Sequence, residues 1–135
     1  MFKVIVFTHG RLGEELINTS SLIMGEQEDI ESYSLMPGCD LDEMKQTLLC
    51  AIRQANAKGQ EVLVLTDLMY ATPFNIMISL KGQCEFRHLT GTNLALLTEA
   101  LNARSDKGLD DMCEICQTAQ EGIMDADELI RRVGV

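Results

Sequence analysis

The chain has 135 residues, of which 46% are hydrophobic, and carries a formal net charge of −10 at pH 7. This length fits one compact domain over residues 1–135, and the aliphatic content excludes an intrinsically disordered protein. The negative charge disfavours nucleic acid and anionic membrane surfaces as partners, because both repel an acidic protein.

Neither export nor membrane insertion is expected from the sequence. The first apolar stretch, residues 2–7, has the length of a strand and lacks the small-residue cleavage site of a signal peptide. No apolar run approaches the roughly 18 residues that cross a bilayer. Five cysteines are an odd number in a chain large enough to be stable without disulfides. We therefore expect reduced thiols in a cytoplasmic protein.

Strand and helix patterns alternate along most of the chain. Strands are predicted where β-branched and other apolar residues run together or alternate, and helices where apolar residues recur three or four apart. In chain order, the predicted elements are a strand at Phe2–Phe7, a helix from Leu12 to Gly25, a strand at Ile30–Leu35, a helix from Asp40 to Gly59, a strand at Val62–Thr66, a helix from Pro73 to about Leu80, a strand at Cys84–Leu89 and a helix at Leu94–Ala103.

Capping signals mark two of the helix starts. Asp40, followed three residues later by Glu43, resembles a capping box. Thr72 before Pro73 fits an N-cap followed by the first helical position, where a missing N–H costs nothing. The apolar stripes expected to pack against the sheet are Leu12, Leu16, Ile17, Leu22 and Ile23 in the first helix, and Leu41, Met44, Leu48 and Ile52 in the second.

The pattern weakens after Leu109. Helical spacing continues as far as Ala119, and Gly122 interrupts it. The remaining segment, Ile123–Val135, fits a strand, a helix or a tail.

The order of elements predicts the fold class. Alternating strands and helices with short connections imply a three-layer α/β sandwich, in which a mostly parallel sheet of about four strands has helices on both faces. Ligands of such sheets bind beyond the carboxyl ends of the strands, where the strand order reverses. If the first and third strands are neighbours at that point, His9 and Asp67 face one crevice.

His9 and Asp67 are the best candidates for chemistry. His9 follows the buried first strand at its carboxyl end, and Gly10 lets the backbone turn sharply after it. Asp67 ends the third strand and can accept the Nδ1–H of His9, which leaves the Nε2 lone pair free to accept a phosphoryl group. Thr72 adds a hydroxyl at a helix start that favours anions. The structural alternatives are a strand-end hydrogen bond for His9, a turn for Asp67 and an ordinary cap for Thr72.

Other residues favour structural roles. His88 lies inside a strand pattern, and Arg11 is expected to be solvated. Cys113 and Cys116 have redox or zinc spacing, but no second pair or nearby histidine accompanies them. The glycine spacing of nucleotide-binding loops is missing. We therefore expect neither a cofactor nor a metal.

Six blocks of sequence, taken together, resemble one family. In chain order they are Val4–Gly10, Leu22–Glu28, Met36–Gly38, Leu65–Asp67, Thr72–Asn75 and Gly91–Leu94. Through them the chain resembles the mannose-family IIA domains of the bacterial phosphoenolpyruvate-dependent sugar phosphotransferase system. The ordered set is far more specific than any single block.

The resemblance implies a cytoplasmic phosphocarrier that works without a cofactor. His9 would take a phosphoryl group from the histidine-containing phosphocarrier protein and pass it to a sugar-specific IIB domain, while Asp67 orients His9 and Thr72 supplies a hydroxyl to the phosphate. It also implies association with a membrane permease complex and a homodimer that exchanges a C-terminal edge strand. The end of the chain at Val135 favours a free-standing subunit.

One departure from the family pattern stands beside the proposed site. The chain reads Met69-Tyr70-Ala71-Thr72, where the family has a glycine pair before Ser or Thr, so this loop is expected to be stiffer and bulkier. Two alternatives stay open. One is the phosphocarrier subunit of a phosphoenolpyruvate-dependent dihydroxyacetone kinase, and the other is a non-enzymatic regulator that binds proteins on the same fold.

Overall fold

A computed structural model describes residues 1–106 and 108–134 and shows one parallel sheet in the strand order β2-β1-β3-β4. The elements are β1 (Lys3–His9), α1 (Leu12–Met24), β2 (Ile30–Leu35), α2 (Leu41–Ala57), β3 (Val62–Thr66), α3 (Thr72–Leu80), β4 (Arg87–Leu89), α4 (Leu94–Ala103), α5 (Met112–Glu121) and α6 (Ala126–Val133). A 3-10 turn at Leu109–Asp111 precedes α5.

Helices cover both faces of this sheet. Successive side chains of a strand point to opposite faces, so Val4 and Val6 lie in one core cluster and Ile5 and Phe7 in another. Side chains of α1, α4 and α5 complete the first cluster, and those of α2 and α3 complete the second. Full burial of each large apolar side chain contributes about 1.5–3 kcal/mol. The predicted three-layer α/β sandwich with a parallel sheet is confirmed.

Most element bounds lie within two residues of the predictions; β1, for example, ends at His9 instead of Phe7, and the largest difference is at the edge strand β4. β3 and α4 have the predicted bounds, and Asp40 caps α2 as expected by accepting hydrogen bonds from two backbone N–H groups. The predicted strand Cys84–Leu89 is too long, because only Arg87–Leu89 pairs with β3. The reason is Asn56, whose side chain accepts the N–H of Glu85 at 2.9 Å and donates to its carbonyl at 3.1 Å. Glu85 is thereby held by α2 instead of by the sheet.

The predicted apolar stripe of α1 is partly wrong. Leu16 and Ile17 pack against the core, but Leu22 and Ile23 are exposed. The inward face of the helix passes instead through Ser20, which is buried, and Met24, which packs against the core. This spacing of four leaves Leu22 and Ile23, which lie between these two residues, on the outer side of the helix.

Leu12 and Leu41, at the starts of α1 and α2, are also exposed instead of buried. The core face of α2 begins one turn later, since Met44 is partly buried against the core and Leu48 and Ile52 are fully buried. Both leucines lie where their helices emerge from the carboxyl edge of the sheet. They contribute apolar surface to that edge.

The C-terminal segment forms two helices. α5 agrees with the predicted helical spacing, and Gly122 ends it. Of the three possibilities for the following segment, the structure shows a helix, α6, which Asp125 caps and which contains no buried residue. Val135 lies outside the described residues, and exchange of an edge strand between two copies stays a prediction. Across the described ranges, no helix combines the length and apolarity needed to cross a membrane.

Candidate active site

The site lies at the carboxyl edge of the sheet, between its two central strands. β1 and β3 are parallel neighbours with Phe7 opposite Thr66, while β2 lies on the other side of β1. The strand order therefore reverses between β1 and β3, as the sequence prediction assumed, and loops from both strands open into one crevice there. His9 is the last residue of β1, and Asp67 directly follows β3.

The two side chains are in direct contact. Oδ2 of Asp67 lies 2.8 Å from Nδ1 of His9 and also accepts the backbone N–H of His9 at 2.9 Å. Oδ1 of the same carboxylate accepts the N–H of Leu68 at 2.9 Å. The Asp67 side chain is only 11% exposed, whereas the His9 side chain is 49% exposed. An imidazole held at Nδ1 therefore faces solvent beside a shielded carboxylate.

Asp67 is ionised over the whole physiological pH range. Burial by itself raises the pKa of this carboxyl, but the hydrogen bonds from the His9 backbone and ring, the charge of His9 and the N–H of Leu68 outweigh burial and lower it. A carboxylate accepts hydrogen bonds at both oxygens and donates none. In the neutral form of His9, the ring proton therefore resides on Nδ1, and Nε2 carries the lone pair. Among residues 1–106 and 108–134, no group forms a hydrogen bond with Nε2.

A buried threonine shapes the turn that follows His9. Thr8 is fully buried, donates its hydroxyl to the His9 carbonyl at 3.1 Å and accepts the N–H of Gly13 at 2.8 Å. Gly10 between them has a φ of +53°, a conformation that glycine adopts without strain. The sequence prediction missed Thr8, although a hydroxyl ending an apolar strand beside a candidate histidine was a usable signal.

Hydrogen bonds to Thr66 hold the end of β3 next to Asp67. Thr92 donates its hydroxyl to the carbonyl of Thr66 at 2.7 Å, and the hydroxyl of Thr66 lies 2.8 Å from Nε2 of His88. Burial lowers the pKa of His88 to about 4, with a smaller effect from the charge of Lys81, so this imidazole is neutral near pH 7. His88 therefore supports the end of β3 and does not reach the site surface. Thr92 also escaped the sequence prediction, because its contact depends on a loop 26 residues away.

Thr72 occupies the predicted helix start but not the predicted capping position. The N-cap of α3 is Ala71, whose carbonyl accepts the N–H of Asn75 at 2.9 Å, so Thr72 is the first helical residue and Pro73 the second. The prediction of Thr72 as N-cap is wrong, since the helix begins one residue earlier. In the part of the chain that the structure describes, the Thr72 hydroxyl hydrogen-bonds to neither His9 nor Asp67.

Arg11 and the cysteines take no part in the contact between His9 and Asp67. Arg11 is exposed and forms two hydrogen bonds of 3.2 Å with Glu14, whose carboxylate raises the pKa of the guanidinium. Cys113 and Cys116 lie on α5, which packs on one face of the sheet. The described residues contain no cluster of three or more side chains suited to hold a metal ion.

Comparison with known proteins identifies the family. Residues 3–117 match the family described as the phosphotransferase system (PTS) fructose IIA component. The chain belongs to this family. The resemblance to mannose-type IIA domains, inferred from the six sequence blocks, is thereby confirmed.

Relatives of this IIA component include proteins for two sugars. The chain is 29% identical over 126 residues to the PTS system mannose-specific EIIAB component of Escherichia coli K12. The match covers 89% of this chain but only 38% of that protein. It is 26% identical to the PTS system fructose-specific EIIA component of Bacillus subtilis 168, covering 83% of this chain and 77% of that one. The chain thus spans about two fifths of the E. coli relative.

A solved IIA structure has the same architecture. The crystal structure of phosphotransferase system component EIIA from Streptococcus agalactiae superposes with a TM-score of 0.84 at 28% identity, covering 95% of this chain and 99% of that one. The agreement extends over nearly all of both chains. The sheet and helices described above are therefore shared with this solved IIA structure.

Proposed function

We propose that this IIA component is a cytoplasmic phosphohistidine carrier in sugar uptake. His9 accepts a phosphoryl group from the histidine-containing phosphocarrier protein and passes it to a IIB domain. The observation that carries this proposal is the 2.8 Å contact between Nδ1 of the exposed His9 and the shielded Asp67 carboxylate. Membership of the PTS IIA family supports the same reaction.

The reaction is an exchange of one P–N bond for another. The Nε2 lone pair of His9 attacks phosphorus in line with the bond to the donor imidazole, and that bond breaks with its electron pair returning to the donor nitrogen. Because His9 keeps its proton on Nδ1, its ring becomes positively charged as the new bond forms. Asp67 stabilises this charge through a hydrogen bond that is already in place, so little reorganisation is needed.

Phosphoryl oxygens are received by the start of α3. Thr72 offers a hydroxyl, the first turn of the helix contains no acidic residue, and its free N–H groups carry the positive end of the helix dipole. Holding both reactants in line and neutralising the oxygens supplies most of the rate enhancement in such a transfer. Thr72 is therefore the phosphate-side hydroxyl of the site.

The working assembly is a homodimer associated with a membrane permease complex. Ile123 and Met124, after α5, and the apolar side chains of α6 are exposed in the single chain. The short strand β4 is one edge of the sheet. Exchange of the segment after Gly122 between two copies would cover both surfaces.

The decisive experiment is intact-mass spectrometry after incubation with phosphoenolpyruvate, enzyme I and the phosphocarrier protein. We expect one added phosphoryl group that is labile in acid and is missing from His9→Ala. A matched control is His88→Gln, which removes the other histidine of the chain and should still acquire the group. An unmodified native chain in the presence of phosphorylated carrier protein would overturn the proposal. Transfer from the phosphorylated chain to a IIB domain tests the second half of the reaction.

A further inference from the structure

The carbonyl of Thr66, the last residue of β3, accepts two hydrogen bonds from one residue, Thr92. The backbone N–H of Thr92 donates to it at 3.1 Å, and the Thr92 hydroxyl donates to it at 2.7 Å. Both residues are buried, so these contacts are shielded from water. A carbonyl oxygen has two lone pairs, and here both are used. The Thr66 carbonyl is therefore fixed in direction as well as in position.

This carbonyl belongs to the peptide unit that joins Thr66 to Asp67. Because a peptide unit is planar, the direction of the Thr66 carbonyl determines where the Asp67 Cα lies relative to β3. The side chain that leaves this Cα places Oδ2 at 2.8 Å from Nδ1 of His9. The pairing of β3 with β4 ends one residue before Thr66. Thr92, in the loop after β4, therefore holds the backbone beside Asp67 where β4 no longer does.

The Thr92 hydroxyl contributes little that the fold itself requires. Valine has nearly the same shape, and the Thr66 carbonyl would still accept the backbone N–H at position 92. A buried hydroxyl costs free energy unless it is hydrogen-bonded, so an apolar side chain would serve packing equally well. A single donor, however, lets the carbonyl swing about one contact, and a displacement of about 1 Å near the reacting groups can lower a rate about 100-fold. The second donor thus adds more to orientation than to packing.

We propose that Thr92 is a positioning residue of the phosphoryl transfer. Through its hydroxyl, it keeps the Asp67 carboxylate directed at Nδ1 of His9. The inference rests on the carrier function proposed above. In the described ranges, the Thr92 hydroxyl hydrogen-bonds to the Thr66 carbonyl and to neither His9 nor Asp67. Because Thr92 acts only through Asp67, its effect on the rate cannot exceed that of the carboxylate itself.

Thr92→Val removes the hydroxyl and keeps the shape of the side chain, whereas Thr92→Ser keeps the hydroxyl. Initial rates of His9 phosphorylation are measured against the concentration of the phosphorylated carrier protein. We expect Thr92→Val to lower kcat about 3- to 10-fold, the effect of one neutral hydrogen bond, while the KM stays within twofold of native. Thr92→Ser should restore kcat to within twofold. The matched control, Thr98→Val, removes a hydroxyl that donates to carbonyls of its own helix, α4, and should leave both constants within twofold.

Two further measurements separate positioning from a general loss of structure. In the Asp67→Asn chain the carboxylate is already gone, so adding Thr92→Val should slow the reaction less than twofold further. The 15N chemical shifts of the His9 ring nitrogens report the proton on Nδ1 without any transfer taking place. Thr92→Val should move both shifts toward those of a ring that exchanges freely between its two tautomers, and Thr98→Val should not.

Three results would overturn the proposal. They are a kcat of Thr92→Val within twofold of native, an equal fold loss from Thr92→Val in the native and Asp67→Asn chains, and His9 ring-nitrogen shifts that Thr92→Val leaves unchanged. If the native chain is not phosphorylated at saturating donor but these shifts still respond to Thr92→Val, the carrier function is refuted and the positioning of Asp67 by Thr92 is supported.

Discussion

Replacement of Asp67 by Asn tests the chemistry of the site with little change in side-chain volume. In the native chain, Oδ2 accepts two hydrogen bonds from His9 and Oδ1 accepts the N–H of Leu68. An amide cannot reproduce this arrangement. If its oxygen faces His9, its NH2 group opposes the Leu68 N–H, and if it is flipped, its NH2 group opposes both donors of His9. The variant therefore loses the negative charge and at least one hydrogen bond.

The size of the effect follows from the contact that changes most during transfer. The hydrogen bond from Nδ1 to the carboxylate is charge-assisted once the His9 ring becomes positive, and such bonds contribute about 1.5–3 kcal/mol. Each 1.36 kcal/mol in the barrier corresponds to a tenfold change in rate. We therefore expect Asp67→Asn to slow phosphorylation of His9 by about 10- to 150-fold at saturating donor.

Quenched time courses read by intact mass measure this rate directly. The matched control is Asp125→Asn, which makes the same change in the cap of α6, where the carboxylate accepts the N–H of Asp127 at 2.9 Å. The control should phosphorylate within twofold of the native rate. The reasoning is refuted by an Asp67→Asn chain that is folded, as judged by its thermal unfolding, and reacts within twofold of the Asp125→Asn chain.

Two further predictions concern the supports of the site. Gly13→Ala should lower the free energy of unfolding by about 1–2 kcal/mol, because the added Cβ would lie 3.1 Å from Cγ1 of buried Val6 and 3.3 Å from Oγ1 of Thr8; urea unfolding measures the loss. For His88, the pKa is about 4 in the folded chain against an ordinary 6.5, so the unfolded chain binds the extra proton and stability falls as the pH drops from 6.5 through 4. Because solvent reaches part of this ring, we expect this loss in the free energy of unfolding to be about 2 kcal/mol. The loss should be missing from His88→Gln, which unfolding at a series of pH values measures.

Each of these two predictions has its own comparison. Gly122→Ala is the control for Gly13, because Gly122 has a negative φ and an added Cβ would meet only the Ala119 carbonyl at 3.4 Å. Equal losses in both glycine variants would contradict the close-packing argument. For His88→Gln, a pH dependence of stability between pH 6.5 and 4 that matches the native one would show that His88 does not cause it.

The central part of the fold was predictable because local patterns determine it. β3 is an uninterrupted aliphatic run with a threonine at its end, and its predicted and observed bounds are identical. Once strands β1 and β3 are parallel neighbours, their carboxyl ends must lie at one edge of the sheet. That His9 and Asp67 lie close together follows from that topology, and it could be predicted without knowing the conformations of the loops.

The errors arise where contacts distant in sequence decide the local structure. Nothing near Glu85 in the sequence shows that Asn56, 29 positions earlier, holds its backbone away from β3. Exposure of Leu22 depends on which face of α1 meets the sheet, which apolar spacing alone left ambiguous.

The two contacts of the Asp67 carboxylate with His9 have a consequence for which ring nitrogen can react. One oxygen binds both the main-chain nitrogen and the ring Nδ1 of the same residue, much as a chelate holds a ligand at two points. A half-turn of the imidazole about its Cβ–Cγ bond would put Cδ2 in the place of Nδ1 and break the ring contact with Asp67. Nε2 is then the ring nitrogen that stays free, so under the proposed carrier function we expect a single phosphohistidine isomer, set by the geometry between two strand ends.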